Sequence, residues 1–286
     1  MSEQAYQTLM DRVRDVAGLQ SISALLSWDQ ETVMPPAGAP HRGQQLALLA
    51  GLVHERSTAR EVADLLSAVE GSAWLKSAPP HARANVRETR RVHDRLARQP
   101  RALVEELARA VPVAQQAWAE AKRQRSFTLF QPHLEAMVAL KREQARALAG
   151  ASTAGAVDLY DALLDEFEPG AKSAEIVPFL DALVDGLVPL VRAIAARGNA
   201  PLPWAGRTFP IDRQRVLCAA LPPALGLRAD GSRLDVSAHP FCQRIGHGDV
   251  GLVPSARGAL WAVAGVPNRF RPCKVAGSPV HPVGLP

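Results

Sequence analysis

Helical periodicity over the first two hundred residues constrains the fold more than any other feature of the sequence. Apolar residues recur there every three or four positions, with arginine, lysine and acidic residues between them. This spacing places the apolar side chains on one face of an α-helix and the charged side chains on the other. The sequence therefore predicts a mainly α fold, an irregular array of many helices. The periodic segments are residues 9–26, 62–69, 81–98, 101–125, 132–149 and 173–197.

Local residues predict where some of these helices begin and end. Pro35 and Pro36 remove backbone donors and push the preceding residues out of helical geometry, so the first helix must end before them. Thr58 and Glu61 have the T-x-x-E spacing of a capping box, which predicts a helix start at Thr58. Gly198 predicts the end of the last long helix.

The stretch "SWDQET" carries two carboxylates, Asp29 and Glu31, beside Trp28. Paired carboxylates are one arrangement used for acid–base catalysis. Their position at the end of the first helix favours the other interpretation, a structural turn that closes this helix.

A short strand is predicted near the end of the helical region. Leu234, Val236 and Ala238 alternate with polar residues in "RLDVSAHPF", which is the period of a strand with one buried face. The fold expected is thus a helical array with a short strand near His239.

Charge and composition exclude two classes of partner. The formal net charge is +5, but residues 251–286 hold four basic residues and no acidic one, so +4 of it lies there. A basic groove for nucleic acid is not expected in the first 250 residues. No run of about eighteen uncharged apolar residues is present, so no membrane span is expected. Three widely spaced cysteines without a C-x-x-C pair indicate a cytoplasmic protein.

Four motifs in order make the chain similar to a known family. They are "LLSWDQETVMPP", "YDALLDEFEPG", "RTFPIDRQR" and "RLDVSAHPF". Together they resemble the Taq-type thermostable zinc metallocarboxypeptidases over about residues 5–250. The resemblance implies a mainly helical fold with a deep groove, and hydrolysis that removes C-terminal residues from peptides. It also implies peptide substrates, a homodimer or other self-association, and zinc or cobalt in complete members.

The zinc helix of such an enzyme is missing from this sequence. In H-E-x-x-H two histidines four residues apart face one metal, and the glutamate activates the attacking water. No two of the eight histidines have this spacing. The dipeptide His54-Glu55 is followed by Thr58 where the second ligand belongs. We therefore expect no metal ligands, no catalytic residues and no cofactor in this chain.

The resemblance does place residues at the substrate groove. In the family the zinc motif follows an HPF motif and then a D-x-R-x-T segment. The matching residues here are His239, Pro240, Phe241 and Asp249. The second segment then departs from the pattern, because Gly251 stands in place of the arginine and Val253 in place of the threonine.

Residues 251–286 have a different composition from residues 1–250, and we expect two regions divided there. Nineteen of these 36 residues are Ala, Gly, Pro or Arg, whose codons mostly begin with two G or C bases. This is the composition of a GC-rich gene read out of frame. Three interpretations are open: a frameshifted or truncated gene, a disordered basic tail, and a small binding module. A metal site formed by His239, Cys242, His247 and Asp249 is disfavoured, since only one H-x-x-C pair is present.

The sequence thus predicts the N-terminal part of a metallocarboxypeptidase, a hydrolase and protease by resemblance, without its zinc helix and inactive as written. The alternative is a catalytically silent helical protein that binds peptides or partner chains. In both cases we expect apolar stripes such as that of residues 173–197 to be partly exposed, because a complete fold would cover them with elements beyond residue 250.

Overall fold

The structure is a computed structural model, and its description covers most of the first 253 residues. The residues described are 2–150, 158–198, 210–224, 226, 228–235, 237, 241–246 and 249–253.

Helices dominate the described residues, which confirms the mainly α prediction. The helix starting at Ser2 ends at Thr32, just before the prolines predicted to stop it. The bounds in chain order are α1 Ser2–Thr32, α2 Ala39–Ser57, α3 Arg60–Glu70, α4 Ala73–Ser77, α5 Pro80–Ala97, α6 Arg101–Gln124, α7 Gln131–Ala149, α8 Leu159–Leu164, α9 Ser173–Ala196 and α10 Ile211–Ala224.

The capping box predicted at Thr58 is wrong. The Thr58 hydroxyl donates to the carbonyl oxygen of His54 at 2.8 Å and closes α2, and the N-cap of the next helix is Ala59, not Thr58. Helix α3 begins at Arg60 instead, and no side chain caps it. Glu61 accepts hydrogen bonds from the guanidinium of Arg12, the nearer at 2.8 Å, and so joins α3 to α1.

The main hydrophobic core lies where α1, α3, α4 and α5 meet. Leu9 of α1 and Leu66 of α3 are fully buried there. The rings of Tyr6 and Trp74 lie 5.1 Å apart, and the side chain of Asn85 donates to the Tyr6 hydroxyl at 3.0 Å. The first half of α1 therefore serves as one wall of this core.

A small sheet follows the helices. Its strands are β1 Ser232–Leu234, β2 Phe241–Gly246 and β3 Asp249–Val253, in the order β1-β3-β2. Strand β3 runs parallel to β1 and antiparallel to β2. A short strand is present near the predicted position, but β1 shares only Leu234 with the predicted alternation and this side chain is exposed; Val236 and Ala238 lie outside the described residues. Strands β2 and β3 were not predicted. In β2 the adjacent residues Cys242 and Gln243 are both buried, which breaks the alternation expected of a strand.

Strand β3 crosses the boundary expected between residues 250 and 251. Val250 pairs with Ser232 and Gly251 with Arg233, so the strand continues into the region of foreign composition. Residues 254–286 lie outside the described residues, and the irregular tail remains a prediction.

The motif "YDALLDEFEPG" joins α5 to α9. Arg95 of α5 donates to the Ala162 carbonyl and to the Glu166 carboxylate, both at 3.1 Å. The buried carboxylate of Asp161 accepts a hydrogen bond from the backbone N–H of Ser173 at 2.8 Å, at the first residue of α9. Hydrogen bonds from Ser173 lower the pKa of Asp161. The start of α9 is therefore fixed by a charged side chain of the preceding helix.

Helix α9 itself is exposed beyond its first turn. None of its residues is buried, and its large apolar side chains face solvent. This agrees with the expectation that the stripe of residues 173–197 is uncovered. No helix within the described residues has both the length and the apolar composition needed to cross a membrane.

Candidate functional site

The HPF motif leads into β2, and Phe241 is the first residue of this strand. His239 and Pro240 lie outside the described residues. Phe241 packs against a buried cluster formed by Trp28 of α1 and Ile245 of β2. The last residue of the motif, Phe241, therefore packs against the second half of α1.

Asp249 lies at the opposite end of the β2–β3 pair from Phe241. Phe241 is opposite Val253, whereas Asp249 is opposite Gly246. The two ends are four residue steps apart along β3, which corresponds to about 13 Å. The exposed Asp249 and the packed Phe241 thus belong to one sheet but not to one cluster.

A hydrogen bond and an aromatic contact hold the sheet against α1. The Ser21 hydroxyl donates to the carbonyl oxygen of Ile245 at 2.6 Å. About two turns further along α1 (seven residues), the guanidinium of Arg233 lies 3.6 Å from the ring centroid of Trp28. Arg233 is oriented by Asp235, whose carboxylate accepts from its Nε at 2.9 Å. A guanidinium stacked on an indole ring contributes about 0.5–2 kcal/mol.

Gly251 allows the same ring to approach β3. A Cβ at this position would lie 3.0 Å from Cδ1 and 3.2 Å from Nε1 of Trp28. The indole is buried, and its N–H has no hydrogen-bond partner among the described residues. The residue that departs from the D-x-R-x-T pattern is thus one that the packing of Trp28 requires to be small.

The two carboxylates of "SWDQET" have separate environments. Asp29 forms an ion pair with Arg42 of α2, and Arg42 also donates to the carbonyl of Leu26. This pairing supports the structural interpretation of Asp29 as part of the end of α1. Burial raises the pKa of the Glu31 carboxyl, so the two groups do not act as an equivalent pair.

The described residues do not fit a zinc ion. No cluster of three or more histidine, cysteine, aspartate or glutamate side chains suited to a metal occurs among them. His54 is buried, and its Nε2 lies 2.8 Å from the carbonyl oxygen of Gln99 and 3.1 Å from that of Leu96. The one His-Glu dipeptide therefore joins α2 to the end of α5.

The helical array, the HPF-bearing sheet and the four motifs together define a metallocarboxypeptidase type of fold. The family model for carboxypeptidase Taq (M32) metallopeptidases matches residues 8–258. The chain belongs to this family. The match continues past Val250 into the region whose composition differs.

Relatives show how much of a family member is present. The chain is 38% identical over 253 residues to thermostable carboxypeptidase 1 of Thermus thermophilus, covering 87% of this chain and 50% of the relative. Carboxypeptidase 1 of Bacillus subtilis is 27% identical, with 84% and 47% covered. The crystal structure of the M32 carboxypeptidase from Deinococcus radiodurans superposes with a TM-score of 0.73 at 28% identity, covering 91% of this chain and 52% of that one. The chain spans about half the length of the curated relatives it matches.

Sequence reasoning missed the contacts made by Ser21, Arg233 and Gly251. Each depends on a partner more than two hundred residues away, and no local pattern links the two. Gly251 was interpreted only as a departure from the family pattern. A glycine inside a strand is a sign of close approach by another group, and this sign could have identified it.

We predict that Gly251→Ala destabilises the protein by about 1–3 kcal/mol, because the added methyl group overpacks the contact with Trp28. Gly246→Ala is the matched control in β2, since its Cβ would lie 3.6 Å from the Ser21 hydroxyl, an ordinary contact. Its effect should stay within about 0.5 kcal/mol. Urea titration measures both free energies of unfolding. Equal effects of the two substitutions would show that the Trp28 contact is not tight.

We also predict that Glu31→Gln changes the pH dependence of stability. The folded protein keeps the Glu31 proton to a higher pH than the unfolded chain does. The free energy of unfolding therefore falls as the pH rises from about 4.5, the ordinary pKa of the group, through the raised value. Glutamine cannot ionise, so the variant does not lose stability in this way. Its free energy of unfolding should equal that of the native protein at pH 4 and exceed it at pH 7. Glu143→Gln, at an exposed position of α7, is the control and should follow the native curve.

Proposed function

We propose that residues 1–250 form the N-terminal part of a metallocarboxypeptidase and contribute one wall of its peptide groove. One observation carries this proposal: the family match includes the HPF segment but the 286 residues contain no H-E-x-x-H. A peptidase of this type needs both histidines and the glutamate on one helical face. By itself this polypeptide then does not hydrolyse peptides.

The groove residues we propose are those assigned by resemblance. Phe241 is supported by its packing against Trp28, which fixes the start of β2 on α1. Asp249 begins β3 and is exposed, so its carboxylate is available to a peptide or to a neighbouring element. His239 and Pro240 complete this proposed set.

We propose a cytosolic location, supported by the odd number and wide spacing of the three cysteines. Cys218 and Cys242 are buried in the fold, and burial raises the pKa of the Cys218 thiol. A thiol in that state reacts slowly with oxidants.

Activity and metal content of the purified chain test the main proposal. With zinc or cobalt added, we expect hydrolysis of a blocked dipeptide to remain at the buffer rate, and only a small fraction of one zinc per chain to survive dialysis against a weak chelator. Thermostable carboxypeptidase 1 of Thermus thermophilus, assayed in parallel, controls for the assay. Turnover together with stoichiometric metal would contradict the proposal. Peptide binding without turnover would favour the silent binding protein.

We further propose that the composition of the tail arises from a shift of reading frame, and the nucleotide sequence of the gene tests this. Downstream of the Val250 codon another frame should encode a D-x-R-x-T completion and then an amphipathic helix with H-E-x-x-H. If neither alternative frame encodes that helix, the frameshift is excluded and the tail is a genuine extension.

A further inference from the structure

Helix α9 carries more exposed apolar surface than any other helix of the described chain. Phe179 is 68% exposed, Leu183 44% and Leu190 54%. Soluble proteins rarely leave a contiguous apolar patch beyond about 300–600 Å² in contact with water unless it binds something. The other large apolar side chains exposed on α9 are Val177, Leu180, Val184, Leu187, Val188, Val191 and Ile194.

Three of the four charged residues of α9 lie on one narrow side, and the fourth, Glu175, lies in the first turn about 120° around the helix from Asp181. Asp181, Asp185 and Arg192 are spaced by four and seven residues, which places them within about 40° of one another at 100° per residue. Phe179, Leu183, Leu190 and Ile194 lie on the opposite side by the same geometry. A surface helix ordinarily has a charged face about as wide as its apolar stripe. A helix that is apolar over most of its circumference is a core helix, and this one has no core around it among the described residues.

The start of α9 is held in place even though its sides are exposed. Asp161 accepts from the Ser173 N–H, and the segment carrying Asp161 is bound to α5 through Arg95 and Glu166. The apolar surface is therefore presented by an anchored helix. An anchored surface loses less conformational entropy when a partner covers it.

The length of the relatives identifies the partner. The matched region accounts for 87% of this chain but for only half of thermostable carboxypeptidase 1. The same proportion holds for the solved structure from Deinococcus radiodurans, of which 52% is covered. Half of a family fold is thus not represented in the matched region, and this half is large enough to bury an entire helix.

We propose that the apolar side of α9 is the docking surface for the C-terminal half of a Taq-type carboxypeptidase, and that this chain binds that half when it is a separate polypeptide. The inference rests on the proposed function, because it takes the chain to be the N-terminal half of that fold. Beyond the proposed function, it identifies α9 as the surface at which the N-terminal and C-terminal halves meet.

The test is co-expression of the full chain, carrying a purification tag, with the untagged second half of thermostable carboxypeptidase 1. We expect the two polypeptides to co-purify in a 1:1 ratio by light scattering. Leu183→Glu with Leu190→Glu should reduce the recovered second half about 100-fold, because two carboxylates would then be buried in the junction. Both leucines are exposed, so this variant keeps the circular dichroism spectrum and melting temperature of the native chain.

Ala174→Glu with Ala196→Glu is the matched control. It adds the same two carboxylates to α9, but on the side that already carries Asp181 and Asp185, and recovery should stay within about threefold of the native chain. Equal recovery with both variants, or none with the native chain, overturns the proposal. So does an α9-dependent dimer of the native chain that excludes the second half, which would assign the surface to a second copy. Hydrolysis by the chain alone is a separate result, which would contradict the proposed function and leave the co-purification measurement unaffected.

Discussion

The contact of the sheet with the second half of α1 is the interaction on which the rest of the structure depends. Helix α1 has 31 residues, a length of about 46 Å, and takes part in two different packing environments. Tyr6 and Leu9 at one end enter the helical core, whereas Ser21 and Trp28 bind the sheet. A single rigid helix thereby fixes the HPF-bearing strand relative to the helical array.

This arrangement explains how Gly251, the first residue of the region with a different composition, can belong to the fold. Trp28 contacts the guanidinium of Arg233 on one strand and the backbone at Gly251 on the next. These two positions are opposite each other in the β1–β3 register, so one indole ring spans both strands. The family match to residue 258 is consistent with a strand that is continuous across Val250.

The helices could be predicted from the sequence because their cause is local. A three-to-four-residue apolar period predicts α5, α6, α7 and α9 to within about one residue, and Pro35 predicts where α1 must end, although the period covers only residues 9–26 of that helix. The capping box failed because α3 begins at Arg60, which places Ala59 and not Thr58 at its N-cap. The sheet and its contacts with Trp28 could not be predicted, since each pairs residues far apart in the chain. Motif resemblance supplied Phe241 and Asp249, but not the residues that hold their strands in place.

The Ser21 to Ile245 hydrogen bond has a consequence for the order of folding. It closes a loop of 224 residues, whereas the contacts within each helix close loops of four. Closure entropy grows with loop length, and contacts between distant residues form late for this reason. During synthesis α1 emerges more than two hundred residues before its partner strand. The contacts of Trp28 with Arg233 and Gly251 therefore cannot form until nearly the whole described chain has left the ribosome.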